Sequence, residues 1–267
     1  MPRRPEAIRR YYYGLIAGII KAIEAAVNDI IVPELPSLLA AAQPTRRDGA
    51  ERLDAEPPKP DEQWAQRIAA LTVATRQQVA ERVEAVLGDL MGIGQKTVQH
   101  ATDDVMRQIR GVIGIDPIYD ESLDELIDSW VQSNSALIKT LVDNQISSVE
   151  QIVNRGMRRA TPVKVLAQEI HKATGNKLWQ AERIARTELG QLYAQTTKRR
   201  DLELGLNRFE WVSAGDSRVR DSHAALDGKF FSYDNPPNGY LPGEEINCRC
   251  IARAAVDELL AELEKTA

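Results

Sequence analysis

Cys248 and Cys250 are the two cysteines of this 267-residue chain, and they stand one residue apart in Asn247-Cys248-Arg249-Cys250. Upstream lie Asp216-Ser217-Arg218-Val219-Arg220-Asp221-Ser222-His223 and Leu226-Asp227-Gly228. On a strand, residues i and i+2 point to one face. Two thiolates so placed can converge on one ion, and His223 can add an imidazole. That donor set suits zinc, which prefers tetrahedral sulfur and nitrogen ligands. The gain would be stability, because a small module poor in aromatics benefits from a metal clip. The fourth ligand stays open among Asp216, Asp221, Asp227, Glu244 and water. The plainer alternative is that both cysteines are small buried apolar residues and His223 a hydrogen-bonded surface histidine. A disulfide between such close cysteines would strain the usual Cα separation, so the chain is expected to be made in a reducing compartment.

The elements that must position these residues are mostly helical. Residues 6–32 carry Ile8, Tyr12, Leu15, Ile19, Ile23, Ala26 and Ile30 at three- and four-residue steps, the period of an amphipathic helix. Pro33 and Pro36 are expected to stop it. An apolar helix set apart from the later core can dock on a partner through Tyr12, Leu15, Ile19 and Ile23, or pack back on its own chain. Residues 43–61 hold four prolines and almost no large apolar side chain, so they read as a linker. A second helix carries the stripe Trp64, Ile68, Leu71, Thr75, Val79, Val83, Val86 and Leu90, weakened near its end by Gly88, Gly92 and Gly94.

Asp116-Pro117 marks a break, and Ser122 with Glu125 forms a capping-box pattern. The next helix carries Leu123, Ile127, Trp130, Leu137, Leu141, Val149 and Ile152, with Asn134 and Asn144 on or beside the stripe. Two long stripes predict an antiparallel helical pair or elongated bundle. Thr161-Pro162 predicts a helix start with Thr161 as N-cap, and that helix ends near Gly175-Asn176. Another runs from about Leu178 to Leu204 and stops at Gly205. Beyond Gly205, Phe209 and Trp211 alternate with Glu210 and Val212 as a strand does. Leu226-Asp227-Gly228-Lys229 reads as a hairpin turn with Phe230 and Phe231 on the return strand. Residues 246–252 read as a strand and 256–264 as a closing helix. The expected fold is mainly α with a small α+β C-terminal module: an N-terminal helix (1–42), a linker (43–61), an elongated helical region (62–160) and a short hairpin-rich module (161–267).

The formal net charge of −5 conceals a basic block, since residues 155–200 hold eleven Lys/Arg against three Asp/Glu. Arg155, Arg158, Arg159, Lys198, Arg199 and Arg200 can face phosphate, or form a solvated face balanced by acidic neighbours. The stretch 14–32 contains Lys21, Glu24, Asn28 and Asp29, which argues against a membrane span. Arg3, Arg4, Arg9 and Arg10 followed by Tyr11-Tyr12-Tyr13 do not make a secretory signal. Glu188, Asp216, Asp221 and His223 can be drawn as a hydrolase or nuclease site. No Ser/His/Asp order, phosphate loop or dinucleotide fingerprint accompanies them, so the chain is expected not to be an enzyme.

Ile184-Ala185-Arg186-Thr187-Glu188, Phe209-Glu210-Trp211-Val212, Asp216-Ser217-Arg218-Val219-Arg220, His223, Leu226-Asp227-Gly228, Pro242-Gly243 and Asn247-Cys248-Arg249-Cys250 occur in one order over residues 161–255. In this the chain resembles the phage Mu F-like head morphogenesis proteins, minor capsid proteins of tailed phages and prophages. The resemblance implies a structural protein of the virion, inside the head near the portal. It implies synthesis in the host bacterial cytoplasm and help in procapsid assembly, DNA packaging or delivery. The implied partners are the portal protein, scaffold or major capsid protein, with nonspecific contact to packaged DNA. Many relatives show C-x-x-C before Leu-Asp-Gly and His-x-x-Asn-Cys-Arg-Cys later. Here Arg220 and His223 take the first two positions, and residues 242–247 lack the histidine. A structural zinc would then rest on His223, Cys248 and Cys250. Arg220 is expected to pair with a carboxylate such as Glu188 or Asp216, and Arg186 and Glu188 to form bridges between elements.

Overall fold

The computed structural model describes residues 4–42, 62–175, 177–256 and 260. The linker at 43–61 and most of the closing helix at 256–264 lie outside them. Helix α1 spans Glu6–Ala26, and the prolines after it do not end the helical path. The backbone widens into a π turn at Val27–Ile31, tightens to a 3-10 turn at Val32–Glu34, and continues as α2, Leu35–Ala42. Proline lacks an N–H and crowds the carbonyl four residues back. The π turn precedes Pro33, and Pro36 falls in the first turn of α2, where its missing N–H leaves no bond unmade.

Helix α3 runs through Glu62–Ile113, 52 residues, well past the three glycines expected to weaken it. Its buried stripe extends from Trp64 through Leu90 to Ile93, Ala101, Val105 and Ile109. The buried hydroxyls of Thr75 and Thr97 each donate to the carbonyl four residues back, at 2.8 Å. Gly94 is where a side chain would not fit freely: a Cβ there would lie 3.0 Å from Ile127 and 3.4 Å from the Trp130 ring.

Helix α4 spans Asp124–Arg158. Ser122 caps it by accepting from the Asp124 N–H at 3.2 Å. Its buried positions are Ile127, Trp130, Asn134, Ile138, Val142, Ile146, Val149 and Val153. Leu137 and Leu141 flank this stripe half-exposed, and Asn144 is exposed. Helix α5 covers Val163–Thr174, with Pro162 rather than Thr161 at the N-cap and no side-chain cap. Helix α6 covers Leu178–Glu203 and stops at Gly205, φ +78°, as expected.

The β elements are strands β1 (Arg208–Val212), β2 (Phe230–Ser232) and β3 (Ile251–Ala254), antiparallel in the order β2-β1-β3. Phe209 faces Phe231 on one side and Ala254 on the other. The Asp-Gly step does not close a tight hairpin. Residues 213–229, including the single-turn helix α7 (Asp221–Ala224), separate β1 from β2. Gly228, φ +73°, donates to the Trp211 carbonyl at 2.8 Å where the chain re-enters the sheet.

The described chain forms two compact units from non-contiguous stretches, whereas the sequence reading divides it consecutively. One unit takes residues 1–14, 89–134 and 180–267, and the other 15–88 and 135–179. In the first, Ala194, Phe209, Trp211, Tyr233, Leu241, Cys248, Cys250 and Ala252 make one apolar cluster.

Candidate metal centre

Cys248 and Cys250 do not lie on a strand. They precede β3 in an irregular turn whose entry is Asn247 at φ +60°, with the Cys248 N–H donating to the Glu245 carbonyl at 2.9 Å. This turn, rather than β pleating, aims both sulfurs at His223. His223 Nδ1 lies 3.5 Å from Cys248 Sγ and 3.6 Å from Cys250 Sγ. All three side chains are buried, and their ligand atoms lie within 4.8 Å of one another. Tetrahedral zinc with Zn–N near 2.0–2.1 Å and Zn–S near 2.3 Å would separate nitrogen from sulfur by roughly 3.6 Å. The donor set therefore fits that ion.

On the other side of the ring, His223 Nε2 meets Glu245 Oε2, which also accepts from Arg220 Nη1 at 3.1 Å. A carboxylate only accepts, so Nε2 is the donor on that side and Nδ1 is the ring nitrogen that faces the thiols. A carboxylate behind a ligating histidine is the usual way its tautomer and orientation are fixed. Trp211 packs edge-on to the same ring at 5.2 Å between centroids. The cysteines titrate as a pair. Cys248 is pulled down to about 5, first by the hydrogen bond from the Cys250 thiol and then, against its burial, by the backbone N–H groups of Cys250 and Gly243. Cys250, donating to Cys248 and buried, is pushed up.

Helix α6 carries the turn on one face. Thr187 Oγ1 accepts from the Asn247 N–H at 3.1 Å, and Gln191 Nε2 donates to the Glu244 carbonyl at 3.0 Å. Between them, Gly190 meets Gly243 so closely that a Cβ on Gly190 would stand 2.7 Å from the Gly243 carbonyl oxygen. Gly243 has φ +103°. Arg4, entering α1, donates to the carbonyls of Cys248 at 3.1 Å and Cys250 at 2.8 Å. Burial lowers the Arg4 pKa to about 10. Sequence reasoning missed Arg4, Thr187, Gly190, Gln191 and Glu245. The one available signal was the three-to-four-residue spacing of 187, 190 and 191 on a helix without a clear apolar stripe.

The other expected site residues are dispersed. Arg220 pairs with Glu245 and the Ile246 carbonyl, not with Glu188 or Asp216, because α7 sets it beside the cysteine turn. Glu188 accepts from Asn134 Nδ2 at 3.2 Å, and Tyr12 Oη donates to Asn134 Oδ1 at 2.7 Å. This knits α1, α4 and α6 within one unit, and burial raises the Glu188 pKa. Asp216 forms a two-pronged ion pair with Arg249, which holds its pKa well below the carboxylate range. Arg186 pairs with Glu182.

Glu188, Asp216 and Asp221 thus do not gather around His223 as a hydrolase site would need. Among the described residues, His223, Cys248 and Cys250 form the one group able to hold an ion. Tyr12, Ile19 and Ile23 are fully buried in this chain and Leu15 is half-buried. As folded, their apolar surface is already used internally, because the stripe faces the chain's own core. Of the six basic residues, Lys198 donates to the Tyr233 carbonyl, Arg199 pairs with Glu121, and Arg200 is buried against Glu203 and Tyr119. Arg155 pairs with Glu169, while Arg158 and Arg159 are exposed.

Residues 147–253 match the family described as "Phage Mu protein F like protein", and this segment of the chain is Mu F-like. An uncharacterized protein of Haemophilus influenzae is 33% identical over 137 residues, covering 51% of this chain and 31% of that protein. A protein of Enterococcus faecalis named NAD(+)--arginine ADP-ribosyltransferase EFV is 30% identical over 138 residues, covering 46% of this chain and 28% of its own length. The chain thus spans under a third of each of these relatives. No solved structure matches it significantly. No helix among the described residues is long and apolar enough to cross a membrane.

Proposed function

We propose that the chain is a minor head protein of a tailed phage or prophage, a structural component rather than an enzyme. In this reading it binds the portal inside the head and assists procapsid assembly, DNA packaging or delivery. Scaffold or major capsid protein are further partners. The Mu F-like segment supports the reading, and the observation that carries the site is the convergence of His223, Cys248 and Cys250 in a buried turn. Zinc held by these three residues would cross-link α7 to the segment before β3 and fix the turn that α6 receives. Its role there is structural. The transferase name belongs to a protein of which this chain covers 28%, and we assign this chain no transferase activity.

Native mass spectra of the purified chain, with and without chelator, test the site. One zinc per chain is expected, lost in His223→Ala and in Cys248→Ser. A metal-free mass on a folded chain would leave Arg220 and Glu245 as the clasp of this turn and end the zinc reading. Co-purification of the intact chain with the portal protein of the same phage tests the partner, and failure to co-purify counts against portal binding.

A second reading, nonspecific contact with packaged DNA, has one observation in its favour. Arg158, Arg159, Lys164 and Lys172 are exposed within one unit, at the end of α4 and on α5. Such binding is sequence-blind and weakens steeply with salt. Filter binding at two salt concentrations, with Arg158→Ala/Arg159→Ala as control, distinguishes it from an inert basic edge.

A further inference from the structure

We infer that Arg4 latches the entry of α1 onto the cysteine turn, so that metal binding at His223, Cys248 and Cys250 and the anchoring of residues 4–14 are coupled. The inference rests on the zinc reading above. Arg4 is a positioning residue: it touches no ligand atom and acts through the backbone that presents two of them. Its planar guanidinium donates through Nη1 to the Cys248 carbonyl at 3.1 Å and through Nη2 to the Cys250 carbonyl at 2.8 Å. A rigid fork is suited to two acceptors at a fixed separation, and a point-charge ammonium is not. Both acceptors belong to the residues whose sulfurs face His223.

Arg4 is half-buried and forms no carboxylate ion pair among the described residues. The two carbonyls are therefore what holds a partly desolvated cation in place, and losing them would leave it short of acceptors, which is costly. The same turn that presents the carbonyls aims the sulfurs. It is shaped by Asn247 at φ +60°, the Cys248 N–H to Glu245 carbonyl bond, and the Cys250 N–H, 3.4 Å from Cys248 Sγ. A metal on the sulfurs fixes that turn and so fixes the acceptors. Coupling of this kind is reciprocal, so Arg4 must in turn favour the metal-bound turn. The segment it anchors is also held by the Arg9–Glu182 pair at 2.7 Å, the Tyr11–Asp89 bond at 3.0 Å and the Tyr12–Asn134 bond. None of these reaches the cysteine turn directly; the nearest link runs from Glu182 through Arg186 to Asn247 Oδ1 at 3.5 Å.

The test uses the full chain. Zinc affinity is measured by competition with a chromogenic chelator for the native sequence, Arg4→Ala and Arg4→Lys. Amide hydrogen exchange of residues 5–14 is followed with zinc bound and removed, with residues 138–149 of α4 as internal control. Loss of an outer partner of a metal site typically weakens binding by about tenfold or more. That fall is expected for Arg4→Ala, with Arg4→Lys between it and the native chain. Zinc removal should raise exchange at 5–14 in the native chain, whereas in Arg4→Ala exchange there is already raised and insensitive to chelator.

Equal zinc affinity in all three chains, or native exchange at 5–14 that ignores zinc, overturns the coupling and leaves the zinc site standing. A native chain that binds no zinc overturns the metal reading, and the coupling with it. The native chain compared with and without metal decides the matter even if Arg4→Ala fails to fold.

Discussion

At the scale of single residues, the first unit buries more polar chemistry than its candidate metal centre uses. Asp201 on α6 is wholly buried and accepts from Tyr233 Oη. Burial pushes its pKa up to about 7, against the opposing effect of that hydrogen bond. The phenols of Tyr119 and Tyr233 are raised as well, by burial first and then by the neighbouring Asp201 charge. An aspartate whose folded pKa lies above its unfolded value of about 3.9 contributes stability that is complete below the unfolded value and lost as pH rises through the folded one. Folding stability should therefore decline between about pH 4 and pH 7 on account of this group, by at most a few kcal/mol. Asp201→Asn keeps an acceptor for Tyr233 and removes the ionisation. Urea titrations of both chains across that range should show a flatter profile for the variant, and parallel profiles would contradict the assignment.

At the scale of elements, α6 is the platform for the cysteine turn, and glycine is what lets the two meet. Gly190→Ala would set a Cβ 2.7 Å from a backbone carbonyl that cannot swing aside as a side chain tip can. Overpacking of this kind costs about 1–3 kcal/mol. Gly88 in α3 is exposed with nothing within 4 Å of its Cβ position. Gly88→Ala should instead gain up to about 1 kcal/mol from helix propensity alone. Opposite shifts of melting temperature for these two substitutions would separate packing from propensity, while a neutral Gly190→Ala would mean that the turn and helix can part freely. Zinc content of Gly190→Ala should fall as well, since the turn it displaces carries both sulfur ligands.

At the scale of the whole molecule, α1 serves as core. Tyr12, Ile16, Ile19, Ile20 and Ile23 are essentially inaccessible. Burying one such aliphatic or aromatic side chain contributes on the order of 1.5–3 kcal/mol. Removing residues 1–42 should therefore abolish cooperative unfolding of the remainder, and circular dichroism melts of the truncated chain test this directly. A sharp transition in the truncated chain would instead return α1 to the role of an independent docking helix. Each compact unit draws on stretches far apart in sequence, so a truncation at any single boundary is expected to damage both.

The sequence by itself determined the helices and singled out the candidate metal donors. Period 3.6 in Trp64 to Leu90, the stop at Gly205 and the alternation around Phe209 and Trp211 are local patterns, written in neighbouring residues. The types of His223, Cys248 and Cys250 likewise announce their chemistry before any fold is known. Local rules misled where packing outweighed them. Pro33 and Pro36 bend a path that continues, Gly94 sits mid-helix against Trp130, and the Asp-Gly step closes a broad loop rather than a tight hairpin. Only the tertiary structure decided that Glu245 and not Glu188 answers Arg220, that Tyr12 reaches Asn134, and that Arg4 grips the cysteine turn from the far end of the chain. Those pairings join residues 25 to 246 positions apart. They are fixed by which faces exclude water and which buried polar groups find partners there, and no window of sequence contains that information.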